Sequence, residues 1–136
     1  MDVIIVCHTE YGFVYKYRVL YHKDAHEGVE KGIRNLSKIA DKYTAKITYS
    51  LMPEVLENVP KKMDSEIGLH LHPGWKEWRN GDFSSYIGDK YLRTMSGISK
   101  DSTVMRDYSY KEQLELIRIG RDRISCLLYT SDAADE

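Results

Sequence analysis

The chain has 136 residues, with 20 basic and 21 acidic side chains and a formal net charge of −1. That length suits one domain, and so even a charge balance gives no reason to expect nucleic acid or an anionic membrane as a partner. Two cysteines, Cys7 and Cys126, are too few for a disulfide scaffold, and no apolar run is long enough to span a bilayer. The opening MDVIIVCHTE is too short in its apolar part for a signal peptide and has no basic start, so the expectation is a cytoplasmic protein.

In chain order, DVIIVCH (residues 2–8) is a short β-branched run and predicts a buried strand, parallel in its pairing. Alternation from Val14 to Val19, after a break at Gly12, suits a short hairpin. From Glu27 to Tyr43 the period changes to that of a helix. Val29, Ile33, Leu36 and Ala40 fall on one face, with Glu30, Lys31, Arg34, Lys38 and Asp41 mostly off it. AKITYSLM (residues 45–52) predicts a second strand, and Pro53 opens a short helix over PEVLENV. EIGLHLH (residues 66–72) predicts a third strand. The excursion from Pro73 to Tyr108 is punctuated by Gly and Ser, and so long a stretch is either a functional loop or a sign of elements not counted here. A last helix starts at Ser109, whose spacing to Glu112 is that of a capping box, and would turn Leu114 and Ile117 to the core. Strand, helix, strand, short helix, strand is the order of an α/β protein with parallel strands.

The last eleven residues, CLLYTSDAADE, contain no lysine or arginine and follow the final helix without a stop signal. Cys126 to Asp135 resemble, codon for codon, the translation of a transposon end and primer used to prepare sequencing libraries, and Glu136 is compatible with the next codon. Residues 126–136 are therefore expected to be a non-native tail, residues 1–125 the protein domain, and the reading frame a metagenomic fragment cut short. Without Asp132, Asp135 and Glu136 the count is 20 basic against 18 acidic side chains, and Cys7 is left with no partner for a disulfide.

Chemistry concentrates at IGLHLHPGW (residues 67–75). Alternate residues of a strand share a face, so Gly68, His70 and His72 point one way and Ile67, Leu69 and Leu71 the other, before Pro73 stops the ladder. His8 and Glu10 repeat the spacing where the first strand runs out. In α/β folds ligands gather at the carboxyl ends of strands. Two imidazoles and a carboxylate there suit a divalent transition metal, zinc first. The plain alternative is a set of histidines satisfied by hydrogen bonds that bind nothing.

The order VIIVCHTE, then GVEKGIRNLSKIADKYTAKITYSLMPEVLE, then SEIGLHLHPGW resembles the polysaccharide deacetylase family, the NodB-homology or carbohydrate esterase family 4 domain. It is nearest to a variant in which LHxHPxW replaces the usual second motif. The resemblance covers most of residues 1–75, and NGDFSSYIGDKYL and YSYKEQLELIRIG add to it. It implies the N-terminal part of a distorted (β/α) barrel and a metal-dependent hydrolase that removes an acyl group from an amino sugar or related amide. It further implies metal ligands at Glu10, His70 and His72, with His8, or Glu10 if it is not a ligand, taking the water proton. Trp75 and Trp78 would stack on a carbohydrate or nucleotide-sugar substrate. The chain departs from the family pattern where His8 stands in the place of the first acid and Gly74 in that of the second histidine. Three other readings are weighed beside it: a catalytically degenerate barrel that binds glycan or nucleotide sugar without hydrolysis, a cupin-like metal-binding protein suggested by His70, His72 and Glu77, and an amidohydrolase.

Overall fold

The computed structural model describes residues 4–11, 13–15, 18–22, 25–61, 63–73, 78–80, 83–86, 89–100, 102 and 104–132. Its elements in chain order are β1 (Ile5–Thr9), β2 (Phe13–Tyr15), β3 (Arg18–His22), α1 (Ala25–Lys42), β4 (Ile47–Leu51), a 3-10 segment (Pro53–Asn58), β5 (Glu66–Leu69), β6 (Trp78–Asn80), β7 (Phe83–Tyr86), α2 (Lys90–Ser96), a second 3-10 turn (Met105–Asp107) and α3 (Tyr110–Asp132). The chain is mixed α/β. Three parallel strands form one open sheet in the order β1-β4-β5, and an antiparallel sheet has the order β2-β3-β7-β6.

The parallel sheet sets the frame of the site. His8 pairs with Ser50 and Ser50 with Gly68, so these three residues stand in one row across the strands. β4 is the central strand and alternates in burial: Ile47, Tyr49 and Leu51 are buried, while Thr48 and Ser50 are half-buried. The buried set packs with Val29, Ile33 and Ala40 of α1 and with Val55 and Leu56 of the 3-10 segment. Each of the valines, leucines and isoleucines among them contributes about 1.5–3 kcal/mol when fully buried. Tyr49 keeps its hydroxyl satisfied inside this layer through Ser37 Oγ at 3.0 Å and the Ile33 carbonyl at 3.3 Å.

Helix α1 begins two residues before the expected start and buries the predicted Val29, Ile33 and Ala40, with Leu36 half-buried. It ends in a left-handed turn. Thr44 has φ 54°, and Ala45 N donates to Ala40 O across it at 2.9 Å. The capping box of α3 forms as the spacing predicts. Ser109 N donates to Glu112 Oε2 at 2.7 Å, and Glu112 N to Ser109 Oγ at 3.4 Å.

Several expectations need correction. β1 is parallel but is not a buried strand: Ile5 and Val6 are exposed, because only one of its edges is paired among the described residues. The third strand stops at Leu69, short of both histidines. The segment after Pro73 is not one long loop. It supplies β6, β7 and α2, and β7 pairs with the β2-β3 hairpin that precedes α1. In α3, Leu114 and Ile117 are exposed, and Leu116, Gly120 and Ile124 face inward instead. A Cβ on Gly120 would stand 2.9 Å from Leu69 Cδ1 and 3.1 Å from Leu71 Cδ2. The glycine thus lets α3 approach the strand end that carries the histidines. With no stop signal after Ser125, α3 runs on through Cys126 to Asp132. No helix among the described residues is long and apolar enough to cross a membrane.

Candidate metal centre

Glu10, His70 and His72 each offer one ligand atom, and these atoms lie within 4.8 Å of one another. Glu10 leaves the end of β1. His70 follows β5 directly, and its N–H still donates to Leu51 O at 2.9 Å, so the ladder carries one residue past the strand. Leu69 and Leu71 point at Gly120 of α3. Alternation then sends His70 and His72 to the opposite side, where β1 brings Glu10. The three donors converge at the carboxyl ends of the parallel strands.

Within the cluster, His70 Nε2 and His72 Nε2 stand 2.8 Å apart, and Glu10 Oε2 lies 3.7 Å from His72 Nε2. One ring must donate to the other, since two lone pairs cannot face each other at that distance. A cation can take the place of the bridging proton and use both lone pairs. Two nitrogens on a tetrahedral zinc at ~2.0–2.1 Å would stand about 3.3 Å apart. The observed gap therefore needs to open by only about half an ångström, which side-chain torsions supply. Burial, with the His72 and His8 rings beside it, pushes the pKa of His70 down from 6.5 to about 4. Its imidazole is neutral at pH 7, the form that binds metal.

His8 lies outside the three-donor cluster but beside it. Its ring is exposed and tilted 35° against that of His70, with centroids 4.3 Å apart. Of the two tryptophans, Trp75 lies outside the described residues, and Trp78 is placed only as part of β6.

Sequence reasoning missed Asp89. It is fully buried and caps α2, with Oδ1 accepting from Leu92 N at 2.8 Å. Oδ2 accepts from Glu54 N at 3.1 Å, and its own N–H donates to His72 O at 2.7 Å. Burial raises its pKa from 3.8 to about 6, against the lowering effect of these amides and of Arg123. An N-cap signal was legible in Asp89 and a stop signal in Gly97, which takes φ 68° at the end of α2.

A cleft of about 340 Å³ lies at the other end of the sheet, between α1 and the start of β4, lined in part by Arg34, Lys38, Lys46 and Asp64. It shares no residue with the cluster, and its lining mixes basic and acidic side chains. We place the candidate site at the histidines, where the donor geometry is specific.

Comparisons with protein-family models, with curated proteins and with solved structures give no match.

Proposed function

We propose that the protein is a metal-dependent hydrolase of the polysaccharide deacetylase type, removing an acyl group from an amino sugar or related amide. The observation that carries this reading is the convergence of Glu10, His70 and His72 at the carboxyl ends of parallel strands. Their N₂O donor set suits zinc among divalent metals. Bound there, the metal would polarise the amide carbonyl and lower the pKa of a water.

The chain's own residues take the remaining roles. His70, held neutral, and His72 present Nε2 lone pairs, and Glu10 supplies the carboxylate ligand. His8, exposed against the His70 ring, is the acceptor for the proton of the attacking water. Trp75 and Trp78 would supply the stacking surface for a carbohydrate or nucleotide-sugar substrate. In this reading the β1-β4-β5 sheet, with residues 1–125 as the domain, is the first part of a distorted (β/α) barrel. The face bearing Val6, His8, Ser50 and Gly68 would be its interior. The parallel pairing and α1 set aside the all-β cupin arrangement.

The test is acetate release from N-acetylated amino-sugar oligomers in the presence of zinc. Release is expected from the complete barrel that this reading implies and not from the 136-residue chain by itself. It is expected to vanish when the complete barrel carries His70→Ala or His72→Ala, whose circular dichroism should match that of the unsubstituted protein. His8→Ala should keep the metal and lose about 10²–10⁴-fold in rate. A zinc-loaded complete barrel that binds the oligomers and releases nothing would instead make this a glycan-binding domain without hydrolysis.

A further inference from the structure

We infer that Asp89 is a positioning residue for this metal centre, holding the main chain of His72 in register with the segment that leaves β4. The inference rests on the metal-centre reading above. Glu10 and His72 come from opposite edges of the parallel sheet, with β4 between them. Their relative placement depends on how the two strand ends are joined.

A chain of hydrogen bonds joins them. Thr9, next to Glu10, accepts from Met52 N at 3.1 Å. Two residues on, Glu54 N donates to Asp89 Oδ2 at 3.1 Å. Asp89 N then donates to His72 O at 2.7 Å. The link is reinforced in return, because Glu54 Oε2 accepts from Lys90 N at 3.0 Å. His70 needs no such help, since its N–H is held by Leu51 O within the ladder. His72 lies beyond the strand, and its carbonyl is held by Asp89.

Capping alone does not account for this carboxylate. A helix cap needs one acceptor, and Ser or Asn serves as well without a buried charge. Asp89 instead divides its two oxygens between its own helix and a segment 35 residues away, with no exposed surface. Residues that orient metal ligands from behind typically change affinity by about 10–100-fold when replaced.

The experiment uses cobalt(II) as the probe. Its affinity is measured by competition with a chromophoric chelator, and its visible ligand-field spectrum is recorded at saturation. Asp89→Ser keeps a helix cap but cannot reach Glu54. It should bind cobalt about 10–100-fold more weakly, with an altered spectrum. Leu92→Ala removes a fully buried side chain from the same helix and tests for a merely structural effect. It should lose thermal stability yet keep the parent's spectrum and an affinity within about threefold. Should Asp89→Ser fail to fold, Asp89→Asn is compared in its place. Parental affinity and spectrum in the Asp89 variant would overturn the inference, as would an equal loss in Leu92→Ala. A parent protein that binds no cobalt would overturn the metal-centre reading itself.

Discussion

At half-buried His70 and fully buried Asp89, two titratable groups respond to acid in opposite directions. His70 has a pKa of about 4 in the fold against 6.5 in a free chain. The unfolded chain takes up its proton first, so this group lowers stability as pH falls from 6.5 toward 4. Asp89 has a pKa of about 6 against 3.8, so the folded chain takes up its proton first and gains stability as pH falls over nearly the same range. Glu27 and Glu112, whose pKa values are lowered from 4.5, add their acid sensitivity only below that value. Between pH 4.5 and 6.5 in chelator, urea unfolding of the parent should show a shallow slope. Asp89→Asn should then lose stability on acidification, and His70→Gln should gain it. Slopes in the two variants that match the parent's would contradict this assignment. Of these residues, the sequence showed the histidine pair through its alternate spacing. At Asp89 only the local cap was legible, because its links to Glu54 and His72 are to distant partners that no local pattern reports.

Among the elements, those built from a strong local period were legible. Helix α1 follows its four-residue stripe, and β1, β4 and β5 follow their apolar runs. The early hairpin appears as β2 paired with β3. What failed were elements whose signals are short or whose partners are remote. Asn80 pairs with Phe83 where β6 meets β7, and the Gly-Asp pair between them in sequence is a hairpin signal that went unread inside an apparent loop. The pairing of β7 with β3 spans α1 and two parallel strands, and no window of sequence contains both. In α3 apolar residues occur on more than one side, and the inward face includes a glycine that an apolar count ignores. The distinction is measurable. Leu116 has no exposed surface, while Leu114 is 54 % exposed. Leu116→Ala should cost about 2–5 kcal/mol in chemical unfolding, and Leu114→Ala no more than about 0.5 kcal/mol. Equal costs would mean that α3 is turned differently about its axis.

For the whole molecule, the helices and core clusters gather on one side of the parallel sheet, and the cluster of Glu10, His70 and His72 stands at its carboxyl end. Ile124 is the last buried residue of α3 among those described, and Cys126 is already exposed. Removing residues 126–136 is therefore expected to change unfolding free energy by less than about 1 kcal/mol, and a larger loss would show that the end of α3 packs. The class of fold was legible from the alternation of strands and helices. The second sheet was not, because it joins a hairpin that interrupts that alternation between β1 and α1 to strands that follow β5. The central claim is that Glu10, His70 and His72 hold a divalent metal. Anomalous diffraction at the zinc edge from crystals of the zinc-loaded protein tests it most directly. We expect a single peak bonded to His70 Nε2, His72 Nε2 and the Glu10 carboxylate. Crystals from saturating zinc with no anomalous density between these three side chains would contradict the account.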